Sequence, residues 1–264
     1  MWTERKKWLF EASHSYSNRR HMLEEIVKKD NLECIKTPSL YKEYEKQEIV
    51  FITQSDEEYP EAFREMYDSP LYFYAKGNLT LLRKKMIAIV GARQCNKGID
   101  RVMQPIIKQL VIEYIGIVSG LATGIDTHAH RITLIEKGHT IAVLGSGMYR
   151  LYPQENALLY NYMLRKELVI SEYAPPISAR KWTFVERNRL VSALSQGVWV
   201  VEAAEKSGSL ITVDYALDEG KSIFATPGSP LNKQAVGCNR LLQEGAILVI
   251  SADDILRELT QGSC

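Results

Sequence analysis

Residues 86–94 read Met-Ile-Ala-Ile-Val-Gly-Ala-Arg-Gln, an apolar run that ends abruptly in a glycine, a small residue and an arginine. Five apolar residues without alternation fit a strand buried on both faces, as in a parallel sheet covered by helices. Gly91 lets a ligand come close to the backbone, and Arg93 offers a planar cation whose donors match a phosphate. In doubly wound folds such a turn lies at the carboxyl end of a strand, where ligands bind. The stretch predicts a phosphate-reading site on a parallel sheet.

Working outward, comparable runs occur at 49–52, 71–75, 115–118, 140–144, 168–170, 197–201, 221–225 and 246–250. From residue 86 onward most of the gaps between them are long enough for a helix. This alternation predicts an α/β fold with a mostly parallel, doubly wound sheet flanked by helices. Residues 1–47 differ: they are dense in charge and helix formers and hold no strand-like run. Ser17 is placed to cap a helix through residues 21–29 that Asp30-Asn31 closes, and a second helix follows Pro38, from Tyr41 to Gln47. The organisation expected is a short helical lobe at 1–47, then one α/β domain at 48–264.

The 264 residues carry a net charge of +1, with 45% hydrophobic and 25% charged residues. That balance excludes a protein coated in basic groups, so any nucleic-acid site must be a local patch. Cys34, Cys95, Cys238 and Cys264 form no Cys-x-x-Cys pair, which favours reduced thiols over a disulfide framework or a zinc site. The amino terminus does not read as a signal peptide, and no run approaches the roughly 20 apolar residues a membrane span needs. A cytoplasmic protein without a membrane contact is expected.

Several loops that follow strands share a polar, small-residue character. Ser119-Gly120-Leu-Ala-Thr-Gly124-Ile-Asp126 puts glycines and a serine before a helix, where free amides and the helix dipole favour an anion. The same residues also suit a tight turn. Gly145-Ser-Gly147 is half of a dinucleotide fingerprint, but Arg150 stands where a third glycine belongs, so no nicotinamide cofactor is expected. His128 and His130 lie two apart, about 200° around a helix, and cannot share one ion. Asp126 and these histidines therefore suggest structural roles, and no metal is expected. Ser207-Gly208-Ser209, with Ser207 as a cap, is another anion-binding helix start.

The segment Arg180-Lys181-Trp182-Thr-Phe184-Val-Glu-Arg187-Asn188-Arg189 mixes cations with aromatics ahead of an apolar helix at Leu190. Cations grip phosphates while an aromatic stacks on a base, the usual way of holding single strands. Two arginines before a buried helix need acidic or phosphate partners. Such loops at the carboxyl ends of successive parallel strands converge on one crevice.

These motifs, taken in order, resemble the DNA-processing protein A (DprA, or Smf) family. The resemblance rests on Gly91-Ala-Arg93, Ser119-Gly-x-Ala-x-Gly-Ile-Asp126, Gly145-x-Gly147 with Tyr152-Pro153, and Ser171-Glu-Tyr173. It continues through Phe184-x-x-Arg187-Asn188-Arg189, Ser207-Gly208-Ser209-Leu-Ile-Thr212 and Pro227-Gly228, and spans roughly 48–250. It implies an extended Rossmann-like domain that binds single-stranded DNA without strong sequence preference. It also implies protection of that DNA, help in loading the RecA recombinase during natural transformation, a homodimer, and no enzymatic activity or cofactor. By the same resemblance Arg93, Lys181 and Arg187 or Arg189 hold phosphates, with Asn188 beside them, and Phe184 contacts a base. Gly91, Ser119, Gly120, Gly124, Ser207, Gly208 and Ser209 form a backbone pocket.

The chain departs from the family pattern in three places. The lobe at 1–47 is short for the family's helical amino-terminal domain, no winged helix is expected within residues 48–264, and Gln94-Cys95-Asn96 replaces the more usual Arg or Ser. The rival expectation is a nucleoside-monophosphate phosphoribohydrolase of the related LOG (lysine-decarboxylase-like) family, with Glu202 or Glu205 as its carboxylate. That family's Pro-Gly-Gly-x-Gly-Thr loop is missing from the comparable Glu202–Ser209 segment. A mononucleotide sensor is disfavoured by the long arginine–aromatic segment.

Overall fold

The computed structural model describes residues 3–15 and 38–261. The helix expected between Ser17 and Asn31 lies outside them, as do Cys34 and Cys264. Every apolar run named above becomes a strand: β1 (Val50–Thr53), β2 (Tyr72–Gly77), β3 (Met86–Val90), β4 (Gly116–Ser119), β5 (Thr140–Leu144), β6 (Leu168–Ser171), β7 (Gly197–Val200), β8 (Ser222–Ala225) and β9 (Ile247–Leu248). They form one sheet in the order β1-β2-β6-β5-β4-β3-β7-β8-β9. Pairing from β6 through β9 is parallel, while β1 and β2 add an antiparallel edge.

The strand β3 shows why the parallel runs lack alternation. Its Met86, Ala88 and Val90 face α7 (Lys181–Ala193), α8 (Leu210–Asp218) and α9 (Val236–Gln243), meeting a core that includes Leu190, Val213 and Cys238. Its Ile87 and Ile89 face α4 (Asp100–Ile112), α5 (Ile125–Ile135) and α10 (Ala252–Gln261), beside Met103, Leu110, Ile132 and Ile255. Both faces are buried, so both must be apolar, at about 1.5–3 kcal/mol for each large side chain.

The antiparallel edge is covered differently. Helices α1 (Glu4–Ser15), α2 (Pro38–Lys46) and α6 (Ala157–Lys166) share a third core with β1 and β2. Phe10 packs edge-on against Phe51 with centroids 5.3 Å apart, and Ser13 Oγ and Tyr74 OH share a 2.6 Å hydrogen bond. A short α3 (Glu61–Arg64) precedes β2.

One boundary differs from the sequence reading. Helix α7 begins at Lys181, nine residues ahead of the apolar stretch at Leu190, so Arg187, Asn188 and Arg189 lie within it. The helix is started by polar contacts: Thr183 Oγ1 accepts from the Arg180 amide at 3.0 Å and donates to Gly145 O at 2.5 Å. No hydrophobic periodicity marks those first turns because they face a polar crevice.

Among the described residues, no helix is long and apolar enough to cross a membrane, and no group of three or more His, Cys, Asp or Glu is placed to hold a metal ion.

Candidate nucleic-acid interface

From β3 the chain steps through β4, β5 and β6 on one side, then returns to place β7, β8 and β9 on the other. The reversal beside β3 opens a crevice at the carboxyl ends of the strands. The loops after β3 and β7 are tied together there. The Ala92 amide donates to Glu202 O at 2.7 Å, and Asn96 donates to the Glu202 carboxylate through its amide at 3.0 Å and Nδ2 at 2.5 Å. Gly91 lies tight against α5, since a Cβ there would sit 2.6 Å from Ile125 Cγ1. Gly124 enters α5 at φ +78° with Ala92 O 2.2 Å from a would-be Cβ, so only glycine fits.

The floor of the crevice is polar, buried and internally satisfied. Arg187, in α7, is 5% exposed. Its Nη1 donates to Gly120 O and Val143 O, both at 2.5 Å, and its Nε donates to Asn188 Oδ1 at 3.2 Å. The Gly120 position is filled by this guanidinium, which would lie 2.0 Å from a Cβ. Asp126 accepts from the Gly120 amide at 3.1 Å and the Ala122 amide at 3.3 Å. On this loop the protein's own carboxylate thus occupies two of the amides. Burial pushes its pKa up, opposed by the Arg187 charge and the two amides.

Behind them, His130 is wholly buried, and its Nδ1 lies 2.6 Å from Thr140 Oγ1. Thr140 gives its hydroxyl proton to Ile117 O at 2.9 Å, so His130 Nδ1 donates and Nε2 is left without a partner. Burial, then Arg187, lowers the His130 pKa to about 3. Ser119 is buried as well, donating to Ile89 O at 2.6 Å. The structure thus places Ser119, Gly120 and Arg187 in the scaffold under the crevice, engaged with the protein itself.

The rim is different. Arg93 and Lys181 are exposed, and neither side chain makes a hydrogen bond or ion pair among the described residues. The Arg93 guanidinium lies 5.3 Å from the centroid of the half-buried Phe184 ring. Arg187 approaches the same ring at 6.0 Å, and Tyr152 lies 5.6 Å away, centroid to centroid. Asn188 Nδ2 donates to Gly208 O at 3.2 Å, drawing the Ser207–Ser209 loop to α7. Ser207 does not cap α8: its Oγ lies 2.7 Å from Ser209 Oγ, and the helix starts after Ser209.

Arg189 is not brought to the crevice. Two positions from Arg187 on one helix, it points elsewhere, paired with Glu172 and bonded to Asp68 O at 2.8 Å. There it lines a separate cleft of about 1190 Å³ with residues such as Tyr59, Met66 and Met86. Burial opposes its charge, but Glu172 and Asp68 outweigh that and raise its pKa. Sequence reasoning missed Thr183 as a crevice residue and Asp126 as the occupant of the loop. No capping signature in the sequence marks Thr183, because Arg180 is not the Ser or Thr with which a capping box begins.

The carboxylates of the rival hydrolase reading are engaged too. Glu202 holds Asn96, and Glu205 pairs with Arg240 at 2.7 Å.

The family model of DNA recombination-mediator protein A matches residues 50–260. The chain belongs to this family. It is 45% identical over 207 residues to the DNA processing protein DprA of Streptococcus pneumoniae, covering 77% of this chain and 72% of that one. Identity to the DprA of Bacillus subtilis is 40% over 227 residues, covering 86% and 76%. The X-ray structure of the Streptococcus pneumoniae protein superposes with a TM-score of 0.80 at 38% identity, over 97% of this chain and 93% of that one. A structure of DNA processing protein A from Helicobacter pylori, concerned with its single-stranded DNA binding mode, superposes with a TM-score of 0.72 at 28% identity. It covers 80% of this chain and 96% of that one. Family membership makes the chain a DNA-processing protein of the recombination-mediator class and gives no support to the hydrolase reading.

Proposed function

We propose that this chain binds single-stranded DNA in the crevice, with little regard to sequence, and works by binding rather than catalysis. The observation that carries the reading is the rim: Arg93 and Lys181 stand exposed beside the ring of Phe184 at the topological switch of the sheet. Phosphates lie against those cations and the Ser207–Ser209 loop, and a base turns towards Phe184. The reading extends to protection of incoming strands and RecA loading in natural transformation, by a homodimer in the cytoplasm. Support for that extension comes from the family and from the strand binding described for the Helicobacter pylori relative.

The test is a fluorescence-anisotropy titration of a labelled 30-nucleotide single strand and its duplex at two salt concentrations, with wild type and Arg93→Ala. Single-strand preference that weakens with salt and with the substitution is expected. Equal affinity of the two proteins at matched salt would remove Arg93 from the site. No binding of the wild type at low salt would reject the function.

A further inference from the structure

Phe184 is a poor sole platform for a base. Its ring is half-buried and crowded: a Cβ on Gly145 would lie 2.8 Å from Cδ1, while Arg93, Arg187 and Tyr152 close in from 5.3, 6.0 and 5.6 Å. Those neighbours restrict how much of the ring one nucleobase can cover, and leave room for a second platform beside it. Tyr152 is 52% exposed, and its side chain makes no hydrogen bond among the described residues. It follows β5 in the same set of carboxyl-end loops. Its loop neighbour Arg150 is also exposed, with Nε 3.3 Å from Pro176 O. Arg93 and Tyr152 thus both lie within 6 Å of the Phe184 ring, and Arg150 stands exposed two residues from Tyr152.

We infer that Tyr152 is a second nucleobase subsite, the surface on which the base next to the one at Phe184 stacks. Stacking on an aromatic ring tolerates any base, because every base has a π face. The hydroxyl is dispensable to this role. The exposed ring costs little stability to remove, since no cavity is left behind. The subsite rests on the single-strand reading above, so the experiment must separate the two.

The ligands are a fluorescein-labelled dT20 and an abasic strand with the same number of phosphates. The proteins are wild type, Tyr152→Ala, Tyr152→Phe, Arg93→Ala and, as a control, Tyr114→Ala. Tyr114 is 86% exposed in the turn before β4, at the opposite end of the strands. Tyr152→Ala is expected to weaken dT20 binding about tenfold, within the range that one stacked base supplies. The same substitution leaves the abasic strand and the salt slope unchanged, because no phosphate contact is lost. Tyr152→Phe binds as wild type, and Arg93→Ala weakens both strands and flattens the slope. The subsite is overturned if Tyr152→Ala binds dT20 like wild type, if it weakens both strands equally, or if Tyr152→Phe fails as badly. Failure of the wild type to bind dT20 removes the single-strand reading and the subsite with it. Circular dichroism and a melting curve for each variant show that the fold is intact, and Tyr152→Leu replaces any alanine variant that does not fold.

Discussion

Arg187 and Arg93 flank one phenylalanine ring, 6.0 and 5.3 Å from its centroid, yet they stand in opposite surroundings. Arg187 is buried on two backbone carbonyls beside Asp126, while Arg93 is exposed without an ion pair among the described residues. The first belongs to a floor whose polar groups answer one another, the second to a rim whose groups await a partner. Burying a charge costs free energy that only close partners offset. The floor can therefore set the shape of the crevice, and the rim can meet a ligand without refolding anything.

The comparison is broken most severely at the floor. Arg187→Met should cost about 3 kcal/mol of stability, because Gly120 O and Val143 O lose their donor and the buried Asp126 loses a nearby positive charge. Urea unfolding measures it, and a loss below about 1 kcal/mol would mean that Asp126 and Arg187 do not depend on each other. Arg93→Ala, on the rim, should lower single-strand affinity by about 1.5–3 kcal/mol with stability within about 0.5 kcal/mol of wild type. Matched anisotropy and thermal melts decide it; a large drop in melting temperature would place Arg93 with the floor.

His130 gives the floor a pH signature. Its folded pKa, about 3, lies below the ordinary 6.5, so the unfolded chain binds the extra proton between those values. That contribution is complete above about pH 6.5 and falls as the medium is acidified towards the folded pKa. Between pH 7 and 5 it amounts to about 2 kcal/mol. His130→Asn keeps a donor for Thr140 and cannot titrate, so its stability should fall by that much less over the same interval. The raised Asp126 pKa acts in the opposite sense and is common to both proteins. Parallel pH profiles for the two would count against a neutral, buried His130.

A small stabilising effect is expected at Gly208. A Cβ there meets nothing within 4 Å, so Gly208→Ala should change stability by less than about 1 kcal/mol, in the stabilising direction. A fall in single-strand affinity with an unchanged melt would put the Ser207–Ser209 backbone against a phosphate. Unchanged affinity would move the rim away from that loop.

Where side chains alternate between two buried faces, the sequence is easy to read, and the nine strands among the described residues all appear as apolar runs. The roles within the crevice are harder. Arg187 and Arg189 are two residues apart and chemically identical, and only the helix start at Lys181 decides that one lies under the crevice and the other beside Glu172. The partners of Arg187 are carbonyls 67 and 44 residues earlier, which leave no mark in composition. The glycines from 119 to 126 read as an anion-binding loop, and in the structure a carboxylate six residues along lies on the Gly120 amide. Such a motif has the same spelling whether its anion is a ligand or a neighbour.

That resident carboxylate bears on how the crevice empties. With Asp126 on the Gly120 and Ala122 amides, those two donors stay paired whether or not a strand occupies the crevice. On the proposed reading the hold on a strand would be divided among exposed cations that water and salt can replace one at a time. A grip built this way would let go from one end, contact by contact, rather than all at once.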